Sequence, residues 1–188
     1  MTDELKHRGP DGEGLEIIKN LCFGFRRLSI QDLSLKGMQP MFAKNKKGII
    51  VFNGEVYNFK EIKRNHLSNV TFQSETDTEV ILELINKYSF EKALKICNGM
   101  YGTVYFDIEK ECLYIARDRI GKKPLYYSFQ NRILGFASEL KSIYNIPSFT
   151  FVKSKKSIHL FSQLGYIPTP LSIYAVSYTH LTLPTMDS

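Results

Sequence analysis

Apolar positions along this 188-residue chain follow two rhythms, one of short bursts and one of helical spacing. LEIIKNLCFGFRRLSI is apolar in bursts on either side of Asn20, which predicts two strands and a turn. The run GIIVF ahead of Asn53-Gly54 predicts a buried strand that runs into a turn. From Asn58 the spacing turns helical. Phe59, Ile62 and His66 share a side in NFKEIKRNHL, with Asn58 as the expected N-cap. In SETDTEVILELINKY, Val80, Ile81, Leu84, Ile85 and Tyr88 recur at helical intervals. Ser74, Thr76, Asp77 and Thr78 are its candidate caps, and Glu79 puts negative charge at its start. FEKALKIC predicts a short helix ending near Gly99.

The period then changes again. GTVYFDIEKECLYIARD predicts two strands around Glu109-Lys110, and KPLYYSFQNRILGFAS two more around Gln130-Asn131. SELKSIYN reads as a short helix capped by Ser138, and KSKKSIHLFSQLGY as another helical stretch. Antiparallel hairpins beside separate helices make an α+β chain, not an alternating βαβ one.

Composition narrows this picture little. Hydrophobic residues are 43% and charged residues 23%, ordinary for a folded domain with a sizeable core. The 25 basic and 19 acidic residues give a formal charge of +6. The lysines are scattered (Lys44, Lys46, Lys47, Lys153, Lys155, Lys156), without interleaved aromatics or a zinc-finger spacing. No nucleic-acid partner is expected. No apolar run reaches membrane-span length and MTDELKHR has no apolar signal core, so no membrane association is expected. Cys22, Cys97 and Cys112 are odd in number and widely spaced, which argues against disulfides and a metal site and for a cytoplasmic setting.

Four clusters carry candidate chemistry: Arg26-Arg27 in FRRLSIQDLS, Asn53-Gly54-Glu55 in FNGEVYNF, Asp77 in SETDTEV, and the charges around Gly121 and Pro124 in ARDRIGKKPLYY. An Asn amide and an unhindered glycine N–H can aim two donors at one oxygen, as a tetrahedral oxyanion requires. Asn-Gly is also the commonest hairpin turn, and the plain turn is the commoner reading. Arg27 can fork onto a carboxylate or be a surface arginine. Asp77 can pair with an ammonium or serve as a helix cap. Together the three suit an α-amino acid with a reactive side-chain carbonyl.

The ordered series HRGPDGEG, FRRLSIQDLSLKGMQPM, VFNGEVYNFKEI, SETDTEVIL, GMYGTVYFD, ARDRIGKKPLYY and FASELKSI resembles the glutaminase (class II glutamine amidotransferase) domain of glutamine-dependent asparagine synthetases, from about Lys6 to about Tyr174. The resemblance implies an N-terminal-nucleophile hydrolase fold: a four-layer αββα sandwich of two antiparallel sheets, here incomplete at the N-terminus. It implies hydrolysis of L-glutamine to glutamate and ammonia, with ammonia passed to an aspartate that ATP activates in a synthetase domain of the same polypeptide. By motif, Arg27 is expected to bind the glutamine α-carboxylate, with Leu28 and Ile30 lining the pocket. Asn53 and Gly54 are expected to form the oxyanion hole, Glu55 and Asp77 to hold the α-amino group, and Arg8, Gly9, Pro10 and Asp11 to brace the site.

The family's nucleophile is an N-terminal cysteine on a strand ahead of HRGPD. No such cysteine is present in this chain, and Cys22, Cys97 and Cys112 read as packing residues. The expected arrangement is a truncated amidotransferase domain at 1–152, the start of a synthetase domain at 153–174 and a non-native tail at 175–188. Such a chain is expected to be inactive alone, with no cofactor of its own; ATP and magnesium belong to the parent's synthetase domain. Family members often dimerise through this domain, which leaves a homodimer open. A nucleophile-less glutamine-binding module, and an amidotransferase acting on another carboxylate such as a cell-surface sugar acid, are the alternatives.

Overall fold

The computed structural model describes residues 1–30, 32–168 and 171–174. Its centre is a four-stranded antiparallel sheet in the order β3-β4-β5-β6. These strands are β3 (Met41–Phe42), β4 (Gly48–Val56), β5 (Gly99–Asp107) and β6 (Cys112–Arg117). The register of β4 and β5 runs unbroken from Gly48↔Asp107 to Val56↔Gly99. Residues 101–106 of β5 are all buried, so the strand has no solvent face and is apolar on both sides.

One face of this sheet presents Ile50, Phe52, Val56, Tyr101 and Tyr105 to the helices α1 (Phe59–His66), α2 (Asp77–Lys87) and α3 (Phe90–Ile96). The other presents Ile49, Val104 and Phe106 to two hairpins, β1 (Gly12–Ile18) with β2 (Leu21–Arg27) and β7 (Tyr126–Gln130) with β8 (Ile133–Ala137). Outside β7 and β8 lie α4 (Leu140–Ile143) and the aromatic segment of Phe149 and Phe151. The layers are helix, sheet, sheet, helix. The second sheet layer is divided among the described residues: β1-β2 and β7-β8 are separate two-stranded ribbons. They meet through the rings of Phe23 and Phe136, 5.9 Å apart. A final helix, α5 (Lys155–Leu164), is capped by Ser154 and stopped by left-handed Gly165.

Several local expectations change. The Asn53-Gly54 pair is not a turn: β4 passes straight through it, with Asn53 opposite Gly102 and Gly54 opposite Tyr101. Asn58 stands at the N-cap of α1, but its side chain does not cap. It donates to Ile96 O and accepts from Asn98 N, tying α1 to the end of α3. Thr76 caps α2 by accepting from Glu79 N, so Asp77 is the first helical residue and not the cap. Glu139, not Ser138, precedes α4, and its carboxylate holds His7 and Arg8. The β7-β8 turn is Asn131-Arg132, with φ of 50° and 63°, one residue later than predicted. The segment 175–188, expected to be a non-native tail, lies outside the described residues.

Candidate functional site

Asn53 and Gly54 lie in the second half of β4, where β5 comes close. A Cβ on Gly54 would meet Tyr101 Cα at 2.6 Å and clash with the Met100 carbonyl. The glycine is therefore demanded by strand approach, not by a positive φ. The side-chain nitrogen of Asn53 is closed off from solvent and has no hydrogen-bond partner among the described residues. Buried polar groups are nearly always paired, and the hydroxyls of Ser142 and Ser157 share this lack of a partner.

Asp77 reaches the same strand from the start of α2. Its Oδ2 accepts from Val56 N at 2.7 Å, two residues beyond Gly54. The side chain is 5% exposed, and burial raises its carboxyl above the ordinary 3.8. Backbone N–H groups of Val56 and Thr78 oppose the rise, and the charge of Glu55 adds to it. Glu55 thus sits close enough to act on Asp77, on the strand segment between Gly54 and Val56.

Arg27 ends β2 and is 6% exposed. Its guanidinium donates to Ser34 O at 2.6 Å and to Asp32 O, folding the loop after β2 around itself. The same loop returns to α2: Asp32 Oδ2 accepts from Glu75 N at 3.1 Å. A Cβ on Gly37 would meet both Arg27 Nη2, at 2.6 Å, and Thr76 Cγ2, at 2.8 Å. Arg27 is therefore brought to the N-terminus of α2, beside the residue that precedes Asp77. A ligand carboxylate would share or displace the loop carbonyls it now holds. Leu28 and Ile30 are 56% and 66% exposed on this loop. Asp11 accepts from Ser29 N at 2.8 Å and so holds the loop's first turn.

The three cysteines sit in different surroundings. Cys97 is buried in the helix-side core, and burial followed by the charge of Asp77 pushes its thiol up to about 12. Cys22 is exposed and unpaired on β2, and Cys112 is half-buried on β6. A nucleophilic thiol needs the opposite of the Cys97 environment, one that favours the thiolate.

Two features escaped the sequence reading. Asp118, 3% exposed, accepts four backbone N–H groups: Tyr101 and Lys123 on one oxygen, Ile120 and Lys122 on the other. Burial would raise its carboxyl, but these bonds hold it below the ordinary value. The Asp-x-x-Gly of RDRIG is a readable sign of such a carboxylate-centred turn. Gln39 is buried against Phe52 and Thr78, and nothing in GMQPM signals that.

Two open cavities, of about 260 and 480 Å³, lie away from all of these residues, under the ends of α1 and α2 and beside Tyr105 and Tyr114. Among the described residues no group of His, Cys, Asp and Glu is placed to hold a metal ion, and no helix is long and apolar enough to cross a membrane.

Residues 1–182 match the sequence profile of a glutamine amidotransferase domain. Among curated relatives, the putative asparagine synthetase (glutamine-hydrolyzing) 2 of Methanocaldococcus jannaschii is 40% identical over 93% of this chain. Asparagine synthetase (glutamine-hydrolyzing) 1 of Bacillus subtilis is 35% identical over 93% of the chain, and asparagine synthetase B of Escherichia coli 33% over 87%. The chain spans only 37%, 27% and 29% of those proteins' lengths. Among solved structures, glutamine phosphoribosylpyrophosphate amidotransferase from B. subtilis superposes with a TM-score of 0.56, at 21% identity, over 65% of this chain and 28% of its own.

Proposed function

The chain belongs to the glutamine amidotransferase domain family, and from that premise we propose that it is the glutamine-recognising part of an asparagine synthetase-type enzyme. The observation that carries the reading is the buried, partnerless amide of Asn53 beside Gly54, with Asp77 tied to the same strand two residues on. In this reading the side-chain carbonyl of L-glutamine lies against Asn53 and Gly54. Asp77 and Glu55 take its ammonium, and Arg27 takes its carboxylate in place of the loop carbonyls. A second charge at Asp77 is then offset by the ligand's positive charge, which relieves the repulsion from Glu55.

The donors matter most when a thiolate attacks the amide carbon. Negative charge collects on the carbonyl oxygen, the C–N bond breaks and ammonia leaves with an added proton. Water then cleaves the thioester to glutamate. Preset donors aimed at that oxygen stabilise the charge as it forms. Burial holds Cys97 as the thiol, and in this reading the residues around β4 and α2 contribute recognition and charge stabilisation. The ammonia would serve an aspartate activated by ATP and magnesium in a synthetase domain of the parent protein. The unpaired cysteines accord with a cytoplasmic setting.

The test is ammonia release from L-glutamine by the 188-residue chain and by the same chain extended with a family-like opening beginning Met-Cys-Gly-Ile. Activity in the extended chain alone supports the reading. Activity in both would mean that a residue now read as structural is the nucleophile. The buried thiol of Cys97 also accords with a second reading, a module that binds glutamine without cleaving it. Binding with no activity in either chain would select it.

A further inference from the structure

Gln39 does in the fold what a backbone strand residue normally does. The β3-β4 register pairs Met41 with Ile50 and Phe42 with Ile49. Continued backwards, it puts residue 39 opposite Phe52. The Gln39 side chain makes that pairing: Oε1 accepts from Phe52 N at 2.6 Å and Nε2 donates to Phe52 O at 3.1 Å. Nε2 also lies 3.3 Å from Thr78 Oγ1. One buried amide thus joins the residue just before Asn53 to the residue just after Asp77.

A second tie between the same two elements is the bond from Val56 N to Asp77. The two ties bracket Asn53, Gly54 and Glu55. They differ in one respect: Asp77 is itself a ligand-binding group in the reading above, whereas Gln39 is fully used by the protein. A ligand that engages Asp77 can loosen the first tie but not the second.

We propose that Gln39, through Thr78, is a positioning residue that fixes the span between the ammonium-binding carboxylate and the carbonyl-binding donors, and so sets the length of amino acid the site accepts. This rests on the glutamine reading of the site. The discriminated pair is L-glutamine and L-asparagine, which differ by one methylene. A rigid span separates such a pair by about tenfold to a hundredfold, whereas a loose one adapts to both.

The experiment titrates each amino acid calorimetrically into the 188-residue chain and into three variants, with a urea midpoint for each. Thr78→Val keeps the size and the Phe52 bonds but cuts the link to α2. Thr78→Ser keeps the hydroxyl. Gln39→Met removes the whole tie. The expected result is a glutamine preference that collapses to about threefold or less in Thr78→Val and is retained in Thr78→Ser. The urea midpoint of Thr78→Val falls modestly, because the buried Gln39 Nε2 loses one acceptor while keeping its bond to Phe52 O. Gln39→Met loses both preference and stability; if it does not fold, the two Thr78 variants decide the matter. An unchanged preference in Thr78→Val, with or without a lower midpoint, overturns the proposal and leaves the glutamine reading standing. Failure of the unmodified chain to bind glutamine overturns both.

Discussion

Two buried aspartates sit at the same end of the central sheet and are treated in opposite ways. Asp118 receives four N–H groups and its carboxyl is held below the ordinary value. Asp77 receives Val56 and the N–H groups of its own helix start, yet burial and the charge of Glu55 keep it above that value. The side-chain amides repeat the contrast. Gln39 is bonded through both its oxygen and its nitrogen, while the Asn53 nitrogen has no partner among the described residues. The saturated pair, Asp118 and Gln39, builds the scaffold. Asp77 and Asn53 are the less favourably placed pair, the one a carboxyl raised by burial and the other an amide nitrogen without a partner, and in the proposed reading glutamine meets both. Among the described residues orphaned hydroxyls also occur at Ser142 and Ser157, and what distinguishes Asn53 is its place on β4 beside Gly54 and the strand segment tied to Asp77.

Removing a saturated group should do the most damage. Asp118→Ala orphans four backbone donors and is expected to lower unfolding free energy by about 3 kcal/mol or more, measured by urea denaturation. Asp77→Asn should behave in the opposite sense. It keeps an acceptor for Val56 N and removes a disfavoured charge, so at pH 7 its stability should equal or exceed that of the unmodified chain. Its affinity for L-glutamine should fall at least about tenfold in calorimetry. A variant that loses stability and keeps binding would erase the contrast.

The pH dependence sharpens it. Asp118, lowered in the fold, contributes stability above the ordinary 3.8 that is lost as pH falls through its depressed value. Asp77, raised in the fold, binds its proton more tightly folded than unfolded. It therefore subtracts stability as pH rises from 3.8 through its raised value. Urea midpoints between about pH 3 and pH 7 should flatten on the acid side in Asp118→Asn and lose their downward component above pH 4 in Asp77→Asn. A small stability change is also expected for Asn53→Leu. Replacing an unpartnered buried amide should alter stability by only about 1 kcal/mol while glutamine binding is lost.

The elements were legible where one physical signal dominated. Alternation and helical spacing located the strands and α2, and Arg27, Asn53 and Asp77 were flagged by the types of group they carry. The sequence misled where one residue has two stable uses. Asn53-Gly54 carries the strongest hairpin signal, yet nine residues of ladder with β5 override it. Asn58 is a good N-cap whose side chain found better partners in Ile96 and Asn98, distant in sequence. Asp118 left a partial sign in the Asp-x-x-Gly turn, whose local donors are Ile120, Lys122 and Lys123, but its Tyr101 bond and all the partners of Gln39 on β4 and α2 are assembled only by the fold. Leu28 and Ile30 remain exposed, because the loop they sit on is held by Arg27 and Asp11 through its backbone.

The most direct test is to follow the Asn53 side-chain NH₂ resonances of ¹⁵N-labelled chain as L-glutamine is added. The account predicts a large, saturable shift with L-glutamine, little with D-glutamine, and none in Asp77→Asn at the same concentration. Asn53 signals that do not move at saturating L-glutamine, or that move equally without Asp77, would contradict it.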